Sequence, residues 1–513
     1  MLLNMILFLP LAGFLLLLFF PREQRGAIKT TALLVSLLVF VASLGLIPEV
    51  RNAPTAMSYE TNVSWIDYPP IRYHVGIDGL SLWLVILSTL LTPITVLVSW
   101  NYIQKRVKEF FAFLLLLEFG MIGVFLAMDL FLFYVFFEVT LVPMYFLIGI
   151  WGHDKRIYAA VKFFLYTLAG SVLMLAAIIY LYNRGGTFDY PILLEMLRNG
   201  RLALSSTEQF WLFMAFFFAF AVKVPLFPLH TWLPDAHGEA PTAGSIILAS
   251  VLLKMGTYGL VRFCLPMFPG AARDNAPWIV ALAITGIIYG ALVAMIQPNM
   301  KRLVAYSSVS HLGFVVLGIF SFNQLALDGA VYQMLNHGVS TGALFMLVGY
   351  LYERRHSLEI ADYGGVATPA PFLSAMFMIT MLASVGLPTL NNFVGEFLVL
   401  QGAAQVNFTW AVFAAVGVIL SAVYMLWMYQ RTFFGEVSEE LRSHMHDLSP
   451  REWATIIPLV VLMIWMGTGT QTFLPVISAS NERTLEQTKT NVEFQVNASP
   501  SLSSQVKELL NVR

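Results

Sequence analysis

Runs of about 20 apolar residues recur along the whole chain, separated by short polar gaps, and this repetition constrains the fold more than any single motif. The runs fall near 2–20, 29–48, 78–100, 109–128, 130–151, 157–182, 209–238, 240–263, 276–297, 301–322, 326–351, 370–405, 408–430 and 452–474. Each is long enough to cross a bilayer as a helix. The 513 residues are 58% hydrophobic and 12% charged, more apolar surface than a soluble domain of this size can bury. The expected fold is an all-α polytopic membrane protein with about 14 transmembrane helices. The first run, from Met1, lacks a positive leader and a clear small-residue cleavage site, and reads as a retained span.

The gaps give the orientation. Sixteen of the 29 lysines and arginines fall in gaps on the side of Arg22, among them Lys105, Lys155, Lys162, Lys301, Arg302 and Arg354. Seven fall on the opposite side and four in the tail. This asymmetry predicts that the Arg22 face is the inner one and that both termini lie outside. Residues 49–77 read as a polar outer loop with a short hairpin, and 185–208 as an amphipathic surface helix. The Ser- and Asn-rich stretch 480–513 reads as a weakly ordered tail.

The two lysines that no gap claims are Lys223 and Lys254. Lys223 ends an apolar run and is followed by Pro225, Pro228 and Pro234, which a helix interior does not tolerate. Lys254 lies in the middle of the next run. Glu118 and Glu138 are central in the fourth and fifth runs, and Glu396 follows a second proline break at Pro388 in the twelfth. His311 and His337 lie in the tenth and eleventh runs. A charge at bilayer depth costs roughly 2.5–3.5 kcal/mol on insertion scales, so such residues are candidates for function. Burial disfavours the charged form of each group and pairing restores it, so disturbing a pair changes protonation, as a proton relay requires.

Plainer roles compete with this reading. A buried Glu–Lys pair can be structural glue. Lys162 and Glu239, near span ends, are expected to snorkel or cap. For His230 and His237, in the break, a structural hydrogen bond competes with proton transfer. The abundant Met and Phe are lipid-facing and packing material. Breaks in the seventh and twelfth runs suggest two inverted five-helix repeats, 109–263 and 276–435, after an N-terminal unit 1–108 and before a last span and tail, 436–513. A single cysteine, Cys264, and the absence of a nucleotide-binding glycine motif, CxxC or HExxH give no sign of a redox or nucleotide cofactor on this chain.

Several segments also carry a family resemblance: LHTWLPDAHGEAPTAGSIILASVLLKMGTYGLVRF, FFEVTLVPMYFLIGIWG, KRLVAYSSVSHLGFV and GLPTLNNFVGEF. Over about residues 78–435 the chain resembles the antiporter-like proton-channel subunits of respiratory complex I, NADH:quinone oxidoreductase. Glu396, where the L- and N-type chains carry lysine, makes it similar to the M-type chains, the equivalent of mitochondrial subunit four. The resemblance implies fourteen spans, inverted repeats and broken seventh and twelfth helices. It implies a pair of Glu138 and Lys223 at the input, Lys254 as central relay, Glu396 at the outlet, and His311 and His337 on the axis between; Glu118, singled out by its depth in the fourth run, is a secondary candidate. It implies L-type and N-type chains as membrane-arm partners in a bacterial inner membrane or equivalent energy-transducing membrane. NADH, FMN, Fe-S clusters and quinone are then expected on partner subunits, and no nucleic acid is expected as a partner. The alternatives are a subunit of a multi-subunit Na+/H+ antiporter and a subunit of a hydrogenase or photosynthetic-type relative of complex I.

Overall fold

The computed structural model describes residues 1–498. Most of it is helix. In chain order α1 spans Leu2–Phe19, α2 Arg25–Leu44 and the short α3 Ile47–Asn52. An antiparallel hairpin follows, β1 Ser58–Ile66 and β2 Ile71–Ile77, as expected for the outer loop. Then come α4 Leu82–Tyr102, α5 Val107–Leu126, α6 Leu130–Val139, α7 Leu141–Trp151, α8 Arg156–Gly185 and α9 Tyr190–Arg198. The first broken span is α10 Ser206–Lys223 with α11 Trp232–Glu239. α12 Thr242–Met267, α13 Pro269–Met295, α14 Met300–Phe320 and α15 Gln324–Arg355 follow. The second broken span is α16 Pro371–Val385 with α17 Asn391–Val406. The chain closes with α18 Phe408–Phe433, α19 Glu439–His444, α20 Pro450–Thr468 and α21 Leu474–Ala498.

Among the described residues, eleven helices are long and apolar enough to cross a membrane, and the chain is a multi-pass membrane protein. Three predicted intervals fall outside those eleven, each for a physical reason. Two are the broken spans: α11, α16 and α17 are too short, and α10, as long as α1, is made less apolar by Ser206–Gln209 at its start and Lys223 at its end. The third is α15, which carries Asp328, Gln333, Asn336, His337, Ser340 and Thr341, all buried. That helix is tolerable at membrane depth because its polar side faces protein. The most apolar window of α12 is entirely buried and that of α14 is 94% buried, against about a third of α1, so α12, α14 and α15 form the centre.

Local chemistry explains the ends of the elements. Ser205 and Glu208 form a capping box at the start of α10, and Ser449 and Glu452 another at α20. Asp129 caps α6 by accepting from Phe131 N and Leu132 N. α10 stops where Pro225 and Pro228 supply no N–H, and Trp232 Nε1 donates back to the Val222 carbonyl at 2.9 Å. α16 stops at Gly386, whose φ of +86° an L side chain rarely adopts, and Pro388 keeps the gap open.

The two ends of the bundle separate the charges as the gap count anticipates. At one end Lys108 donates to the Leu18 and Phe20 carbonyls, Arg22 pairs with Glu109, and Trp151 donates to the Lys105 carbonyl. At the other, Asn4 meets Thr61 and Tyr73 of the hairpin, and Ser480 donates to the Pro54 carbonyl. The expected disorder from 480 onward is corrected: α21 continues to Ala498, and Ser478 and Asn481 donate to the buried Asp328. Polar composition there marks a helix docked on a buried carboxylate. Residues 499–513, the rest of the expected tail, lie outside the described residues. α9 is the amphipathic helix expected between 185 and 208, with Tyr190, Leu193, Leu194 and Leu197 buried.

Candidate functional site

Four of the deep ionisable groups meet in the centre. α12 carries two wide π turns, Leu248–Leu252 and Leu260–Cys264, with Lys254 between them. Such turns are rare and frequent at functional sites. The first redirects the Leu253 N–H to the Leu248 carbonyl, and the Ala249 carbonyl accepts instead from Lys254 Nζ at 2.5 Å. Lys254 Nζ also lies 2.6 Å from His337 Nδ1 on α15. The His337 and His311 rings stand edge to face, centroids 6.0 Å apart. His311 Nδ1 lies 2.6 Å from Glu396 Oε1 on α17, and Gln333 Nε2 donates to the same oxygen at 3.0 Å. All five side chains are 3% exposed or less. Only the step between the two histidines, whose Nε2 atoms both lack partners, interrupts the line.

Small residues make this convergence possible. A Cβ on Gly395 would stand 2.3 Å from Gln333 Oε1 and 2.8 Å from Asn336 Nδ2. A Cβ on Gly342 would stand 2.3 Å from Ser250 Oγ, on the first π turn of α12. α15 is thus clamped between α12 and α17 at glycines, and its polar face joins the two. Asn336 donates to Gln333, Asn391 to the Asn336 carbonyl, and Asn392 to Ser340.

The other predicted groups are placed differently. The expected direct Glu138–Lys223 ion pair is not formed. Among the described residues Lys223 Nζ has no hydrogen-bond partner, and it lies over the rings of Phe137 and Phe163, 5.0 and 5.6 Å from their centroids. Ring faces attract the ammonium where a carboxylate was expected. Glu138 stands beside Ser171, and Lys223 acts on it as a charge at a distance. Glu118 is fully buried, and among the described residues neither carboxylate oxygen has a hydrogen-bond partner. The break packs closely enough to keep Lys223 near α12: a Cβ on Gly256 would meet the Phe220 carbonyl at 2.8 Å and Val224 N at 3.0 Å.

Residues 127–422 match the family described as NADH:quinone oxidoreductase/Mrp antiporter, TM, and residues 3–128 match NADH-ubiquinone oxidoreductase chain 4, amino terminus. NADH-quinone oxidoreductase subunit M of Rickettsia prowazekii is 44% identical over 93% of this chain and 97% of its own length. The subunit M of Rhodobacter capsulatus is 47% identical over 91% and 93%. The chain belongs to the NADH:quinone oxidoreductase subunit M family. A chain of the solved respiratory complex I from Thermus thermophilus with bound NADH superposes on this chain with a TM-score of 0.86 at 33% identity, over 95% of this chain and all of that one.

Several residues matter at this site that the sequence did not single out. Asp235, in the first break, pairs with Lys162 of α8 at 2.7 Å and with Arg302 of α14. Lys162 therefore pairs in place of snorkelling freely, while Glu239 caps as expected, accepting from Lys155 N at 2.8 Å. Lys301, counted among the gap charges, is buried and donates to the Ala240 carbonyl. Gln333 and Asn336 escaped notice because they are neutral amides. Of the two histidines in the break, His237 makes no hydrogen bond from either ring nitrogen and stacks on Phe345 at 4.3 Å, against the structural hydrogen bond considered for it. His230 packs among Phe227 and Tyr289, its Nδ1 unpartnered.

Proposed function

We propose that this chain is a proton-translocating membrane-arm subunit of a complex I-type NADH:quinone oxidoreductase of a bacterial inner membrane, and that a Glu/Lys/His relay carries its protons. Family membership across nearly the whole chain supports the assignment to the complex. The observation that carries the relay is the buried line Lys254–His337, His311–Glu396. Glu138 and Lys223 form the input, with Glu118 secondary, and Glu396 is the outlet. A proton on Lys254 Nζ reaches His337 across one hydrogen bond. Loading both would set two positive charges at 2.6 Å in an apolar interior, which drives the proton onward. The step from His337 to His311 is the gap in the line and therefore the controlled one. His311 then hands the proton to Glu396, whose oxygen Gln333 holds in place.

The repeats 109–263 and 276–435 supply the scaffold, each contributing one broken helix near its charged groups. L-type and N-type antiporter-like chains are the proposed neighbours. NADH, flavin, iron–sulphur clusters and quinone act on other subunits in this reading. The test is NADH-driven proton pumping and quinone reductase activity in membranes, normalised to assembled complex. Lys254→Met should assemble and lose pumping at least about tenfold, a barrier change of about 1.4 kcal/mol. Full pumping in assembled Lys254→Met complex would overturn the relay.

A further inference from the structure

A cavity of about 770 Å³ lies between α2, α4, α15 and α20, with Leu335 and Val339, on either side of His337 in sequence, in its α15 wall. Its walls are almost wholly apolar, with Leu90 and Ile94 of α4 facing Val461 of α20. It runs along the helices, and its polar groups gather at one end. α2 and α20 finish there and α4 begins there, and the end is marked by Arg51, Trp83 and Thr472. That is also the end at which the hairpin and α21 sit. Arg51 is exposed and, among the described residues, makes no ion pair or hydrogen bond. Trp83 is 7% exposed, lines the cavity, and its Nε1–H has no acceptor among the described residues. A buried indole N–H ordinarily finds one.

We infer that this groove is a binding site for one phosphate-bearing lipid of the outer leaflet, with an acyl chain in the slot, the phosphate against Arg51 and a glycerol-level ester oxygen accepting from Trp83 Nε1. The polarity runs in the sense a lipid requires, cation at the interface and hydrocarbon below. Size selects the occupant as well. The volume falls within the ~300–1,000 Å³ of small-molecule pockets. A partner helix of ~20 residues and ~10 Å diameter fills on the order of 2,000 Å³.

The experiment uses the whole complex in native membranes with three photoreactive acyl probes: phosphatidylglycerol, phosphatidylethanolamine and phosphate-free diacylglycerol. Both phosphate-bearing probes should label the peptide containing Trp83 and Leu90 at least fivefold more than diacylglycerol. Arg51→Gln should remove that preference and leave diacylglycerol labelling unchanged. Leu90→Trp, which fills the slot, should abolish labelling by all three. Trp83→Phe, which keeps an aromatic ring but removes the N–H with the rest of the indole's second ring, should lower phospholipid labelling while pumping persists. Equal labelling by the three probes, unchanged in Arg51→Gln and Leu90→Trp, means passing annular lipid and overturns the inference. A crosslink from this groove to a partner subunit overturns it in favour of a protein interface.

Discussion

The first and second halves of the proposed relay handle buried charge in opposite ways. In the second half, Lys254, His337, His311 and Glu396 touch through two bonds of 2.6 Å, and neutral amides of α15 and α17 brace them. In the first half, Glu118, Glu138 and Lys223 touch no charged partner; Lys223 rests on two phenyl rings. Aromatic faces and burial hold a charge without fixing a proton's path, whereas hydrogen bonds fix the path. In the proposed relay the second half is therefore wired, and the first would act on it through the field. Glu–Lys attraction across an apolar gap is long-ranged because little screens it.

The sharpest way to break this contrast is a pair of double-mutant cycles. His311→Ala with Glu396→Gln should show a coupling of about 1–3 kcal/mol in complex stability, as for residues in direct contact. Glu138→Gln with Lys223→Met should couple less. Thermal denaturation of the purified complex measures both, and a larger coupling for the second pair would reverse the account.

Gly395→Ala probes the bracing alone. Its methyl would collide with Gln333 and Asn336, so overpacking of about 1–3 kcal/mol should follow, together with slower pumping. Normal pumping and thermal stability in this variant would show that the amides are not positioned by the seam.

A smaller effect separates the halves by pH. His74 on the hairpin is clamped by Asp189 at 2.6 Å and Glu60 at 2.7 Å, beside Asp129, which caps the helix carrying Glu138. Burial opposes charge on His74, but the hydrogen bonds to Asp189 and Glu60 outweigh it and hold its pKa above the ordinary value. Burial pushes Asp129 up to about 6, against hydrogen bonds from Leu132, Arg72 and Phe131 N–H. Both folded values are raised. The stabilisation is then full below the unfolded values and is lost as pH rises through about 6 for Asp129 and through the elevated value for His74. Hydrogen exchange in 58–77 and the first turn of α6, corrected for intrinsic rates, should quicken about two- to fivefold above pH ~6.5. α15 and α17 should not respond. A uniform response across all four segments would refute the local clamp.

Much of this arrangement was legible in the sequence because its physics is local. An apolar run must span, Pro225, Pro228 and Pro388 must interrupt, and Lys254 in such a run must find a partner. The hairpin and α9 followed from composition and periodicity. What was hidden depends on long-range placement. Lys301 reads as an interfacial charge, but the break leaves the Ala240 carbonyl open and draws the ammonium inward. The Lys254–His337 contact needs a π turn that no pattern announces. The Glu138–Lys223 contact failed because Phe137 and Phe163 occupy the space around the ammonium. The stretch 480–498 looked unstructured because its partners, Asp328 and Pro54, are far away in sequence.

The central claim is that the proton crosses from Lys254 to Glu396 through His337. The most direct test is the proton-to-electron ratio of purified complex reconstituted in vesicles, compared between His337→Met and Lys223→Met at equal assembly. Methionine keeps the bulk of His337 and removes both nitrogens, cutting the line at its only link to Lys254. The account predicts a reduced ratio in both, with the larger loss in His337→Met. An unchanged ratio in fully assembled His337→Met complex would contradict it.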